Sequence, residues 1–380
     1  MPNPLTELAK LGTSPWFDNI SRGLLESGEL ARLVRDEGLR GVTSNPTIFE
    51  KAVSSGSEYD AALERLIAAG RRDPKAVFEA LAVDDIRRAA DILATVYHQT
   101  QGADGFVSLE VSPELAKDTL ATVREARRLW GEVARPNLMV KVPATIEGLP
   151  AVTQLLGEGI NINVTLIFSV QRYEAVMDAY LAGLERRAAA GQPLSSLSSV
   201  ASFFVSRIDS AVDKQLDDLA SRESSAEKRA VLEALRGKTA VANAKAAYSR
   251  FLAVFSSPRF LALKSKGARV QRPLWASTGT KNPKYSDVLY VDSLIGADTV
   301  NTMPPATWKA FLHHGAVRAT LAEGTDDAAR LLDALGPLGV DLAATTARLE
   351  EEGVKAFADS YAALLQCVAQ MLHKLAQPAR

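Results

Sequence analysis

At 380 residues the chain is long enough for two domains, but α/β barrels with insertions reach this size as one unit, so length forces no split. With 47% apolar and 23% charged residues it can bury a large core, which argues against disorder. A net charge of −1 gives no general field for nucleic acid or an anionic membrane, so any phosphate recognition has to be local.

The longest apolar runs are strand-sized, and residues 1–30 lack the basic start, apolar stretch and small-residue cleavage site of a leader. A cytoplasmic protein is therefore expected. Short apolar or alternating runs bounded by turn signals recur eight times, at 14–21, 41–46, 105–111, 137–144, 161–168, 198–206, 272–278 and 298–304. Amphipathic, helix-periodic stretches separate them. Strand and helix in regular alternation predict a parallel sheet under helices, and eight repeats is the count that closes a (β/α)8 TIM barrel. No GxGxxG fingerprint or Walker loop favours an open nucleotide-binding sheet. The long connections at about 50–104 and 207–271 read as helical insertions. About 305–380 reads as a C-terminal helical extension whose segment 352–376 packs across the barrel, all within one domain, 1–380.

Side chains at alternate strand positions face opposite ways. In the fourth strand Leu138, Val140 and Val142 share the outer face, so Lys141 points inward. The same parity puts Ser108 and Glu110 inside the third strand. In the fifth it puts Asn161, Asn163 and Thr165 inside, with Ile162, Val164 and Leu166 outside. Thr43 and Asn45 share a parity in the second strand, and Asp18 falls toward the end of the first. Polar groups brought to one interior are costly to bury without partners, and most lie at the strand ends where barrel enzymes place their chemistry. Each also has a plain structural reading. Lys141 and Glu110 can form a buried ion pair, Asp18 can cap a helix, and Asn45 before Pro46 can end a strand. Ser202 and Ser277 can be ordinary barrel-interior residues, and Arg207 can pair with Asp209 or Asp213.

The strings WFDNIS, GVTSNPTIF, LMVKVPAT, INVTLIFS and SFFVSRID resemble, in order over roughly residues 14–305, the strand motifs of the transaldolases. The long C-terminal region is similar to the larger branch of that family, including the transaldolase part of fusions with phosphoglucose isomerase; nothing resembles the isomerase half. The resemblance implies a Schiff-base barrel enzyme that moves a dihydroxyacetone unit between sugar phosphates in the pentose phosphate pathway. It implies Lys141 as the Schiff-base lysine, Asp18 as the acid/base group, Glu110 as a glutamate acting through a water, and Thr165 as the holder of that water. Thr43, Asn45, Asn163 and Ser202 match residues near the donor hydroxyls, Phe204 an aromatic lining residue, and Arg207 a phosphate-binding arginine. One departure stands in WASTGTKNP: Ser277 is kept, but Gly279 occupies an arginine position, which leaves Lys281 as the replacement cation.

A lysine attacks a ketone only as the neutral amine, the form desolvation favours; a neighbouring carboxylate opposes it, which suits a Glu110 acting through water better than one in direct contact. No cofactor or metal is expected, since His98, His313, His314 and His373 lack ligand spacing, the paired histidines reading as a helix end before Gly315. Cys367, the single cysteine, reads as a small core residue in a helix. The expected partners are small-molecule sugar phosphates, without nucleic acid or membrane, for a monomer or homodimer. Two rival readings stay open: a related aldolase that releases free dihydroxyacetone, against which Phe204 in place of a tyrosine argues by family analogy, and a non-catalytic sugar-phosphate-binding barrel.

Overall fold

Strand and helix alternate along the chain as the hydrophobic periodicity requires, and all eight expected strands are present. The computed structural model describes residues 3–375; residue 376 and the rest of the expected extension to 380 lie outside the described residues, as do residues 1–2. After α1 (Pro4–Lys10), β1 (Thr13–Phe17) is followed by α2 (Arg22–Glu26), α3 (Glu29–Arg32) and β2 (Gly41–Val42). The first expected insertion is α4 (Pro46–Ser54), α5 (Asp60–Ala68) and α6 (Pro74–Gln99), which lead into β3 (Phe106–Glu110). Then come α7 (Thr119–Val133), β4 (Leu138–Pro143), α8 (Gly148–Glu158), β5 (Ile162–Ile167), α9 (Val170–Ala189) and β6 (Ser199–Phe204). The second insertion is α10 (Ser206–Arg222), α11 (Ala226–Ala234), α12 (Thr239–Phe255) and α13 (Pro258–Lys264), before β7 (Arg272–Ala276). The chain continues through α14 (Leu289–Asp292), β8 (Thr299–Met303), α15 (Pro305–His314), α16 (Thr325–Leu335) and α17 (Leu342–Leu375).

The strands close into a parallel barrel in sequence order, β1 to β8. Register carries the inward parity around it: Glu110 lies beside Lys141, Lys141 beside Asn163, and Trp16 beside Thr302. Two expectations about strand ends are corrected. β2 is only two residues long, because the Asn45 side chain accepts from Ile48 N at 3.0 Å and Pro46 starts α4, so the chain turns to helix at once. β5 breaks its alternation at Leu166, whose φ of +62° accompanies a register shift between Val164 and Ile167. Leu166 consequently packs on Gly353 of α17 rather than joining the outer face with Ile162 and Val164. Asn161, expected inside with the site, instead ties strand starts together, donating to Pro136 O and accepting from Ser198 N.

The terminal helix starts earlier than 352, where Asp341 accepts from Ala344 N at 2.9 Å, and it packs against α4, α6 and α10 across the C-terminal end of the barrel. His313 and His314 do close α15 before Gly315. None of the described helices is long and apolar enough to cross a membrane.

Candidate active site

β4 is buried along its whole length, and Lys141 is its one ionisable inward side chain. The ammonium donates to Ser44 O at 3.0 Å, stands 3.3 Å from Glu110 Oε2 and lies 5.9 Å from the centre of the Phe357 ring on α17. Lysine and glutamate are thus in direct contact, not held apart as the sequence argument preferred, because β3 and β4 pair the two residues in register. Burial pushes the Glu110 carboxyl up, with Lys141 opposing it. Glu110 Oε1 and Thr165 Oγ1 are buried without a hydrogen-bond partner among the described residues, and Glu110 Oε2 has the Lys141 ammonium beside it. Buried acceptors of this kind are costly unless another molecule serves them.

Across the barrel, Asp18 follows β1 and is partly open. Its Oδ1 accepts from the Thr43 hydroxyl at 2.6 Å, and Thr43 Oγ1 lies 2.7 Å from Thr302 Oγ1. Burial raises the Asp18 carboxyl, against the pull of the Thr43 bond, Lys141 and Lys281. Deeper in the barrel, Ser202 donates to Asn163 Oδ1 at 2.7 Å while Asn163 Nδ2 donates to Ser108 Oγ at 3.0 Å.

A cavity of about 600 Å³ opens above these groups. Asp18, Thr43, Asn45, Lys141, Thr165, Ser202, Phe204, Arg207, Ser277 and Lys281 all line it, whereas Glu110 and Asn163 sit behind its wall. Asn163 therefore acts as a brace between Ser108 and Ser202 instead of facing the cavity. Asn45 combines both readings, capping α4 and lining the site. Arg207 stacks its guanidinium 5.3 Å from the centre of the Phe204 ring. It is not tied to its helix neighbours: Asp209 accepts from Ala240 N and the Tyr290 hydroxyl, Asp213 from Gly237 N and the Tyr285 hydroxyl. Ser277, at φ +56°, shares a hydroxyl contact of 2.9 Å with Ser206. The missing arginine has a steric correlate, since a Cβ at Gly279 would come within 3.1 Å of Pro304 Cγ. Lys281 is exposed at the rim and close enough to Asp18 to act on it electrostatically, which extends its position beyond the phosphate end assigned to it from sequence.

Sequence reasoning missed Ser44, Thr302 and Phe357. Thr302 had a signal, its alternation in the eighth strand; Phe357 had none, because only the tertiary path of α17 brings it over Lys141.

The family model described as Transaldolase/Fructose-6-phosphate aldolase matches residues 15–368. A protein named Transaldolase from Thermobifida fusca is 52% identical over 98% of this chain and 99% of its own. Another of that name from Frankia alni is 49% identical over 98% of each chain. A third, from Mycobacterium tuberculosis, is 50% identical over 96% of each.

Proposed function

The chain belongs to the transaldolase/fructose-6-phosphate aldolase family, and from that premise we propose that it transfers a dihydroxyacetone unit from a ketose phosphate to an aldose phosphate through a Schiff base on Lys141. The donor is sedoheptulose 7-phosphate or fructose 6-phosphate, and the acceptor glyceraldehyde 3-phosphate or erythrose 4-phosphate, as in the pentose phosphate pathway. The observation that carries the reading is the buried Lys141, backed by Glu110 at 3.3 Å, facing Asp18 across one barrel-mouth cavity.

The pair shares one proton. Passing it to Glu110, whose burial favours the acid, leaves the lysine amine neutral without a net change of charge. The amine adds to C2, Glu110 returns the proton to the departing hydroxyl, and water leaves an iminium that serves as electron sink. Asp18 then takes the C4 hydroxyl proton, the C3–C4 bond breaks, and the aldose phosphate departs. The enamine attacks the acceptor aldehyde, and Asp18 gives the proton back. Arg207 is the phosphate contact, held half-buried against Phe204. Phosphorylated sugars as substrates support a cytoplasmic setting.

Borohydride reduction in the presence of fructose 6-phosphate tests the reading. The parent should gain one covalent adduct on Lys141, and Lys141→Arg should lose both adduct and turnover while remaining folded. Normal activity in Lys141→Arg would refute the mechanism. Assays with and without an aldose phosphate separate the outcomes: acceptor-dependent turnover supports transfer, and free dihydroxyacetone formed at the same rate without acceptor would reassign the enzyme as an aldolase.

A further inference from the structure

Residues 277–288 join β7 to α14, and this loop brings Ser277, Gly279 and Lys281 to the substrate cavity. Its start is fixed at the barrel, where Ser206 N donates to Ser277 O at 3.1 Å and the buried Thr278 hydroxyl donates to Thr302 O at 2.9 Å. Farther out the loop is drawn together by its own bonds, from Thr280 Oγ1 to Ser286 O at 2.8 Å and from Tyr285 N to Asn282 O at 3.1 Å. Lys281 stands on this outer part and is exposed. Tyr285 fastens it to the rest of the molecule. Its hydroxyl donates to Asp213 Oδ2 at 2.8 Å, and Gly237 N donates to the other oxygen of that carboxylate at 2.9 Å. The ring lies against Gly237, whose φ is +69° and where a Cβ would come within 2.7 Å of Tyr285 Cζ, so the turn before α12 leaves room for it. Tyr290, just past the loop, repeats the arrangement by donating to Asp209 Oδ2 at 2.9 Å. Asp209 and Asp213 stand four residues apart and share one face of α10, and the same helix carries Arg207 into the cavity. One helix thus bears one cation of the site and grips the loop that bears another.

We propose that Tyr285 is a positioning residue for the substrate phosphate: its bond to Asp213 fastens the loop to α10 and holds Lys281 over the cavity that Arg207 lines. The inference rests on the reading above, in which the ligand is a sugar phosphate held at this rim. A lysine on an exposed loop loses chain freedom when it closes on an anion, and that loss weakens binding unless the loop is already ordered. Arg207 has its own support in the Phe204 ring. Lys281 is exposed, and the latch supplies the order that its own side chain lacks. Gly279 leaves the position nearer the strand without a cation, so the charge comes from two residues farther out, where a tether matters more.

The test is a double-mutant cycle on kcat/KM for fructose 6-phosphate. Tyr285→Phe removes the hydroxyl and keeps the ring over Gly237, so the variant folds as the parent does. Alone it should lower kcat/KM about three- to tenfold, mainly through KM, and lower the preference for fructose 6-phosphate over fructose by the same factor. In the Lys281→Ala background the same substitution should change kcat/KM by less than about twofold, because no ammonium is left to place. A merely structural role for Tyr285 would instead depress both ketoses alike and in either background. Parent-like kinetics in Tyr285→Phe, or a loss that simply multiplies with that of Lys281→Ala, overturns the proposal. If the parent is trapped by borohydride and turns over, such a failure belongs to the latch alone; a parent that does neither defeats the Schiff-base reading itself.

Discussion

The Thr43 hydroxyl has a single proton, and the Asp18 carboxylate at 2.6 Å accepts it, so Thr302 must be the donor in the 2.7 Å contact with Thr43. That chain holds Asp18 as the anion while burial pushes its carboxyl up. Asp18 must be ionised to take the C4 hydroxyl proton, so Thr43→Val, which removes the lowering bond, should move the acid limb of kcat/KM to higher pH. Thr43→Ser should leave it in place, and pH–rate profiles of the three proteins check this; an unmoved limb in Thr43→Val would detach the hydroxyl from Asp18's ionisation. The two cations differ in the same local terms. Arg207 is half-buried on Phe204 with Glu352 acting on it only from beyond ion-pair distance, so Arg207→Ala should cost about 2–4 kcal/mol in kcat/KM for fructose 6-phosphate. Lys281 is exposed and hydrated, and Lys281→Ala should cost about 1–2 kcal/mol. An unphosphorylated ketose should show neither loss. Equal losses with both ketoses would remove phosphate from the account.

The strands were legible because burial imposes alternation on them, and parity alone put Lys141 and Glu110 in the interior. Their ends were not, because caps decide them: Asn45 stops β2 early, and the φ of Leu166 redirects β5 toward α17. The carboxylates of α10 show the same limit. In sequence Asp209 and Asp213 look like partners for Arg207, but Asp209 crosses to α12, accepting from Ala240 N at 2.7 Å and from the Tyr290 hydroxyl at 2.9 Å. Burial there pushes its carboxyl up to about 6. A carboxyl raised above its unfolded value of about 3.9 binds its proton more tightly in the native state. Its contribution is therefore present at low pH and is lost as pH climbs from about 4 to about 6. The loss is on the order of 3 kcal/mol for this group. Asp209→Asn cannot ionise, so its stability relative to the parent should improve by roughly that amount across the window. Urea midpoints of both proteins at pH 4, 5, 6 and 7 measure it. A difference that stays constant with pH would mean Asp209 ionises normally in the fold.

At the scale of the whole molecule, the barrel's eightfold count and a terminal helix lying across the barrel could be read from sequence, but the residues that α17 brings to the site could not, since no local pattern tells a helix what it will cover. That path makes the C-terminal region part of the site, with Phe357 beside Lys141, Gly353 3.7 Å from Arg207 for a built Cβ, and Ser360 hydrogen-bonded to Thr47 at 2.8 Å. Farther along, Arg172 pairs with Glu350 at 3.0 Å and Tyr361 packs edge-on to Phe78 at 5.9 Å. A single apolar cluster runs from Leu5 to Leu372 through the barrel, the insertions and α17. Chains of this length often unfold in stages, because separate cores yield separately. One continuous core predicts the opposite, a single transition in which α17 and the barrel come apart together. The sequence supplies a probe for each part. Trp16 and Trp275 are fully buried in barrel strands and report its packing by fluorescence, while Cys367, the single cysteine, is half-buried on α17 and reports its opening through thiol labelling. In pulse labelling across a urea series, the midpoint for Cys367 modification should coincide with the tryptophan midpoint. Full labelling of Cys367 at urea concentrations where tryptophan emission is still native would make α17 a separately unfolding cover, and the active site would then be lost well before the barrel.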